Sequence, residues 1–167
     1  IVTIGGGSSL KNYADLDLFK KLSNGQSDKY SVLLDGDNGD EAKEKEKDKI
    51  REHCQNDGAI YLRLAKRDIE NYCHIERIRQ CYIDKIYERE GAASQNPIIQ
   101  KFKDEEIIFD SADLDVGQYL HDKGFLKFKD EMNIVVFENM TKEEWEEMDD
   151  QSELVTFINE IYQRIEN

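Results

Sequence analysis

Three short apolar segments, separated by polar and helix-like segments, constrain the fold of this chain most strongly. They are IVTI (1–4), YSVLL (30–34) and AIYLRLA (59–65), and each has the pattern of a β-strand. One apolar helix face lies between the first two, made by Leu10, Tyr13, Ala14, Leu18, Phe19 and Leu22. Because strands that alternate with helices pair in parallel, the sequence predicts an α/β fold, a Rossmann-like parallel sheet with helices on both faces.

The segments after the second and third strands are strongly charged. Residues 40–54 (DEAKEKEKDKIREHC) have almost no apolar face, and pairs such as Glu44–Lys47 support an exposed helix. We therefore expect a solvated helix there. Residues 66–90 (KRDIENYCHIERIRQCYIDKIYERE) predict either one long helix or a broken pair of helices.

The carboxyl-terminal part, residues 96–167, predicts a mostly helical extension. Within it, MNIVVFENM (132–140) fits a strand or a buried helix, and periodicity does not choose between them. Thr141 and Glu144 form a capping box that starts a helix. The last helix has an apolar stripe that we expect to pack within the chain, formed by Leu154, Phe157, Ile158, Ile161, Tyr162 and Ile165.

Composition narrows the classes of function. The formal net charge of −14 argues against binding nucleic acid through clustered lysines and arginines of this chain alone. No apolar run approaches the ~18 residues of a transmembrane helix, so we expect no membrane partner. Three cysteines without CxxC spacing favour a reducing compartment, which predicts a cytoplasmic protein.

Charged side chains follow two of the predicted strands. Asp35 and Asp37 come directly after the second strand, Lys66 and Arg67 follow the third, and Glu70 comes one helical turn later. In an open parallel sheet, ligands bind outside the carboxyl ends of the strands. Crowded carboxylates ionise readily only beside a cation, and Mg²⁺ takes one or two carboxylates plus substrate phosphates. The pattern predicts a metal site at Asp35 and Asp37, with Lys66 stabilising charge on a phosphoryl group.

Other interpretations of the DGDNGDEAKEKE segment stay open in part. An EF-hand loop counted from Asp35 needs glycine where Asp40 stands, so that motif is excluded. A haloacid-dehalogenase phosphatase carries DxDx[TV] after a strand, and here Gly39 occupies the last place. A phosphatase or phosphotransfer domain with Asp35 as nucleophile therefore remains an alternative, as does a non-catalytic acidic interaction module in which DGD is only a turn.

The strand-end DGD, followed about thirty residues later by LAKRDIENY (64–72), resembles the Toprim domain of OLD-family (overcoming lysogenization defect) nucleases. It is also similar to related ATPase-linked Toprim proteins of anti-phage systems. The resemblance covers about residues 1 to 90, and IVTIGGGSS looks like the second Toprim strand and its turn. It implies a Toprim fold, Mg²⁺ or Mn²⁺ on Asp35 and Asp37, and Lys66 near the scissile phosphate.

The resemblance also implies an activity and partners. The expected activity is metal-dependent endonucleolytic hydrolysis of DNA or RNA in a bacterial defence protein. Glu70 would orient Lys66 or bind outer-shell water, and we expect Arg67 to contact the nucleic acid. An ATPase domain or subunit and a homo-oligomer are the expected protein partners. In the family, a first strand with a metal-binding glutamate precedes the GGG strand, and this chain does not contain it. We therefore expect residues 1–95 to form a partial catalytic core that belongs to a longer protein. Residues 96–167 are expected to pack on that core.

Overall fold

The computed structural model describes residues 30–36, 41–104, 106–108, 111–125 and 130–166. The predicted strand at 1–4, the predicted helix at 10–22, and Asp37 lie outside the described residues. The chain divides into two compact units, of which the second is Asp68–Asp150 and the first contains the residues on either side of it.

Two strands and seven α-helices are formed by the described residues. In chain order they are β1 (Ser31–Leu34), α1 (Glu41–Asp57), β2 (Ile60–Arg63), α2 (Ile75–Glu90), α3 (Pro97–Asp104), α4 (Val116–Asp122), α5 (Asp130–Asn139), α6 (Lys142–Met148) and α7 (Glu153–Glu166). A 3₁₀ turn spans Ile69–Tyr72. None of these helices combines the length and the apolarity that crossing a membrane requires.

The two strands of the first unit pair in parallel, with α1 as the connection between them. Ser31 lies opposite Ile60 and Leu34 lies opposite Arg63. The ladder continues past the strands, because the backbone N–H of Leu64 donates to the carbonyl of Leu34 at 2.9 Å. The α/β class and the parallel pairing are therefore confirmed for this part of the chain. A larger sheet of the Toprim type stays a prediction.

One face of α1 is buried, which corrects the expectation of a fully solvated helix. Lys47, Ile50 and Cys54 recur at i, i+3 and i+7, and all three are buried. Ile50 and Cys54 form a small core with Val32 and Leu34 of β1. A lysine can occupy this face because its aliphatic stem packs against apolar atoms while its ammonium group reaches polar partners.

The last helix, α7, lies along β2 in the first unit. At its start, the Glu153 carboxylate accepts hydrogen bonds from the backbone N–H of Ala65, at 3.1 and 3.2 Å. Near its end, Arg164 donates to the carbonyl of Gly58 at 2.5 Å. Since Ala65 follows β2 and Gly58 precedes it, the helix runs in the direction opposite to the strand.

The apolar stripe of α7 is buried only at its beginning. Leu154 is 4% exposed, whereas Ile158, Tyr162 and Ile165 are 44%, 61% and 65% exposed. The prediction that this stripe packs within the chain is confirmed for Leu154, whereas Phe157 and Ile161 are only half-buried. It is wrong for Ile158, Tyr162 and Ile165, which are exposed. The hydrophobic spacing predicts the helix correctly, but it does not reveal how far a neighbouring element extends along it.

The second unit has its own helical core. Its aromatic centre is Phe102, whose ring stacks on Phe125 at a centroid distance of 3.8 Å and lies 4.9 Å from that of Tyr82. The buried cluster around this centre comprises Cys73, Ile78, Cys81, Tyr82, Phe102, Ile107, Val116, Leu120, Phe125 and Val136. Four helices of the unit contribute side chains to this cluster, so helix packing forms the core of its described residues.

The structure of the second unit resolves the remaining sequence alternatives. The segment 66–90 is broken rather than one helix, because the 3₁₀ turn ends at Tyr72 before α2 begins at Ile75. Residues 132–139 of the segment MNIVVFENM belong to helix α5 rather than to a strand. The capping box of Thr141 and Glu144 is confirmed, with both reciprocal hydrogen bonds present.

The division between the units does not coincide with the predicted boundary at residue 95. It falls after Arg67 and again after Asp150, and α7 belongs with the strands of the first unit. The catalytic role expected for residues 1–95 stays a prediction.

Candidate functional site

The candidate site is the edge at which β1 and β2 end. The backbone N–H of Gly36 donates to the carbonyl of Lys66 at 3.2 Å, two residues after Leu34 accepts from Leu64. The segment that carries Asp35 therefore runs directly beside the segment that carries Lys66. These two predicted site residues lie on adjacent backbones, as the parallel pairing of the strands requires.

The close approach of these segments depends on glycine at position 36. A Cβ atom on Gly36 would lie 2.2 Å from the carbonyl oxygen of Lys66 and 2.9 Å from that of Leu64. Both distances are shorter than any ordinary carbon–oxygen contact. The absence of a side chain thus lets the end of β1 stay against β2 for two residues beyond the strand.

Buried Lys47 of α1 binds the end of β1. It is 6% exposed, and its Nζ donates to the carbonyl of Gly36 at 3.1 Å and also to the carbonyl of Asp35. These are charge-assisted hydrogen bonds, which are stronger than bonds between neutral groups. Helix α1 follows the DGD segment in sequence. Through Lys47, it fixes the backbone of Asp35 and Gly36, the first two residues of that segment.

Arg63, the last residue of β2, binds the same place from the neighbouring strand. Its Nε and Nη2 donate to the carbonyl of Gly36 at 3.2 and 2.7 Å. Its guanidinium also forms a bidentate ion pair with Glu44 of α1, in which Nη1 lies 2.5 Å from Oε2. The hydrogen bond with Glu44 raises the pKa of Arg63 above its ordinary value, so this guanidinium stays charged.

The predicted site residues differ in where they lie. Asp35, Lys66 and Arg67 are half-buried in the first unit, and the first two belong to the paired segments. Glu70 is half-buried in the 3₁₀ turn of the second unit, and its action on Lys66 stays a prediction. Asp37 lies outside the described residues.

The asparagine and tyrosine of the IENY segment have structural roles in the second unit. The side-chain oxygen of Asn71 accepts from the backbone N–H of Asp68 at 3.1 Å, and its amide donates to the carbonyl of Leu114 at 3.0 Å. Tyr72 is 1% exposed. The two hydrogen bonds of Asn71 and the burial of Tyr72 give both residues a part in the packing of this unit.

A hard divalent cation is the metal that the carboxylate at this edge would suit. Within the described ranges, which omit residues 37–40, no group of three or more His, Cys, Asp or Glu side chains could hold a metal ion. Mg²⁺ does not need such a group, because one or two carboxylates with substrate phosphates and water complete its six ligands. Asp35 is a carboxylate residue on the segment beside that of Lys66. A metal site at this edge stays a prediction.

Sequence reasoning missed three residues at this edge: Glu44, Lys47 and Arg63. All three are charged, and charged residues in a polar helix or at a strand end are ordinarily assigned to solvent. A usable signal was present. Lys47 shares a helical face with Ile50 and Cys54, and Arg63 shares a strand face with Tyr61, which packs on the core of β1 and α1.

Comparison of the chain with protein-family models, with curated proteins and with solved structures gives no match. The assignment of a function therefore rests on the residues and on their geometry.

Proposed function

We propose that this chain is the Toprim part of a divalent-metal-dependent endonuclease, which hydrolyses phosphodiester bonds of DNA or RNA. The observation that carries the proposal is the hydrogen bond from Gly36 N–H to the Lys66 carbonyl. It joins the segment of a strand-end carboxylate, Asp35, to that of a strand-end lysine. Ligands bind at this edge of parallel sheets, and a carboxylate with a lysine suits a metal-bound phosphate.

The side chains have separate roles in the proposed reaction. Asp35 and Asp37 hold Mg²⁺ or Mn²⁺, which when bound neutralises negative charge on the phosphate. Lys66 donates to a phosphoryl oxygen and stabilises the charge that develops there. Arg67, the next residue, contacts the nucleic-acid backbone, for which a planar guanidinium is well suited.

The wider assignment is also a proposal. The motif residues support a Toprim-type sheet larger than the strand pair β1–β2, and a place within an ATPase–nuclease defence protein of the bacterial cytoplasm. In that setting the chain acts with an ATPase domain or subunit and forms a homo-oligomer. The basic surface that holds nucleic acid lies outside this chain. The formal net charge of −14 favours a separate basic surface, because phosphate contacts need clustered lysines and arginines.

Cleavage of DNA and RNA by the purified protein tests the proposal. The wild type and an Asp35→Asn variant are incubated with each nucleic acid in Mg²⁺, Mn²⁺ or EDTA. We expect metal-dependent cleavage that falls about 100-fold or more in the variant, which is the scale for loss of a metal-ligand or charge-stabilising group. Asp48→Asn is the matched control, because Asp48 is exposed on α1 and paired with Arg51 at 3.0 Å.

Two outcomes contradict the proposal. Equal cleavage by the Asp35→Asn variant and the wild type removes Asp35 from the site. An acid-stable, hydroxylamine-sensitive phosphate on Asp35, formed from a small phosphate ester, favours the phosphotransfer alternative instead.

A further inference from the structure

Two cationic side chains converge on the end of β1. The carbonyl of Gly36 accepts from Lys47 Nζ at 3.1 Å and from Arg63 at 3.2 and 2.7 Å. The carbonyl of Asp35 also accepts from Lys47. A carbonyl at a strand end ordinarily needs only one donor, which a neighbouring N–H or water supplies. The carbonyls of Asp35 and Gly36 therefore accept more hydrogen bonds than the strand pairing requires.

The cost of placing a lysine at position 47 supports a specific role for these contacts. Lys47 lies on the same buried face as Ile50 and Cys54, where an apolar side chain would pack without desolvating a charge. Its ammonium group is directed to the two carbonyls of Asp35 and Gly36. What the charged residue adds over an apolar one is a fixed position for this piece of backbone.

Arg63 is itself held from its other side. Glu44 binds the guanidinium with two carboxylate oxygens, so the fork that faces Gly36 has a defined orientation. Lys47 and Glu44 are one helical turn apart on α1. A single rigid helix thus sets both cations against the end of β1, which is how outer residues keep the ligands of a metal site in place.

We propose that Lys47 and Arg63 are positioning residues for Asp35, an inference that rests on the proposed function. By binding the carbonyls of Asp35 and Gly36, they fix the direction in which the chain leaves β1. A backbone fixed at Asp35 restricts the directions open to its side chain, so the carboxylate loses less freedom on binding a divalent cation. Neither residue touches the substrate or the cation.

Mn²⁺ binding to the purified protein, followed by electron paramagnetic resonance, tests this inference. Four proteins are compared: the wild type, Lys47→Met, Lys49→Met and Asp35→Asn. Methionine keeps the length of lysine and removes its charge. Lys49 is the matched control, since it is an exposed lysine of the same helix. Thermal melting of each variant establishes that it is folded at the temperature of the binding measurement.

We expect Asp35→Asn and Lys47→Met each to raise the Kd for Mn²⁺ about tenfold or more, the usual effect of losing a ligand's supporting contact. Lys49→Met should leave the Kd within about twofold of the wild type. A residue that only stabilised the fold would lower the melting temperature and leave the affinity of the folded protein unchanged.

The outcomes separate the two proposals. If Lys47→Met is folded and binds Mn²⁺ as the wild type does, while Asp35→Asn does not, the positioning role is wrong and the proposed function stands. If Asp35→Asn binds as the wild type does, the proposed function fails and the inference with it. Should Lys47→Met not fold, Arg63→Lys retains the charge but loses the fork on Gly36. An unchanged Kd in that variant also overturns the inference.

Discussion

Replacing Gly36 by alanine is the most informative single change at the edge of β1 and β2. The added methyl group would lie 2.2 Å from the carbonyl oxygen of Lys66, where an ordinary contact is at least 3.4 Å. The obstructing atoms are backbone carbonyl oxygens of Lys66 and Leu64, so no side-chain rotation relieves the clash. The two segments must move apart by about 1 Å, more than a close-packed interior accepts without cost.

The expected loss of stability has two parts. Overpacking against rigid backbone costs about 1–3 kcal/mol. Separation also stretches the 3.2 Å hydrogen bond from Gly36 N–H to the Lys66 carbonyl beyond bonding range, which removes about 1 kcal/mol. The free energy of unfolding should therefore fall by about 2–4 kcal/mol, a large share of the 5–15 kcal/mol typical of a domain.

Urea unfolding followed by circular dichroism measures this loss, and amide hydrogen exchange at Leu64 reports the local separation. Trp145, the single tryptophan, lies in the second unit, so its fluorescence follows that unit separately. Gly117→Ala is the matched control. It lies inside α4 with its nearest contact at 3.6 Å, and alanine there should stabilise the helix by up to about 1 kcal/mol. A Gly36→Ala protein within about 0.5 kcal/mol of the wild type, with unchanged exchange at Leu64, would refute the reasoning.

Three further measurements follow from packing and charge. Leu154→Ala should cost about 2–5 kcal/mol and Ile158→Ala less than about 1 kcal/mol in urea unfolding, because only Leu154 is buried; equal losses would contradict the described packing of α7. The hydrogen bond from Arg77 lowers the pKa of Glu144, so this pair stabilises the fold above the ordinary glutamate pKa of about 4.3 and loses that contribution as pH falls through the lower folded value. An NMR titration that finds an ordinary pKa for Glu144 would exclude this contribution. Burial raises the pKa of Cys73, and native protein should react with a thiol reagent at that residue only after unfolding, as mass spectrometry of the labelled protein can determine.

The parts of the fold that were predictable depend on local pattern. The apolar segments at 30–34 and 59–65 predicted β1 and β2, and parallel pairing then predicted that Asp35 and Lys66 follow adjacent strands. The capping box of Thr141 was predictable for the same reason, since its hydrogen bonds join residues three positions apart. In each case the information lies within a short stretch of sequence.

The parts that were not predictable depend on tertiary contacts. Lys47 is buried only because two carbonyls of another element receive its charge, and no hydropathy pattern contains those carbonyls. Residues 132–139 are helical although their β-branched side chains favour a strand as strongly, because the neighbouring elements are helices. The exposure of Ile158 and Tyr162 depends on what lies beside α7, which its own periodicity does not specify.

The rate of phosphodiester cleavage by a Lys66→Ala variant tests the central claim most directly. With saturating Mn²⁺ and the nucleic acid that the wild type cleaves, kcat should fall about 100-fold or more, the scale for losing one preorganised charge stabiliser. Melting temperature and Mn²⁺ affinity should change little, because the role proposed for Lys66 is to bind the phosphoryl group rather than the cation. Lys49→Ala, an exposed lysine far from the strand ends in sequence, should retain the wild-type rate. A Lys66→Ala protein with full kcat would contradict the claim that the edge of β1 and β2 is a phosphoryl-transfer site.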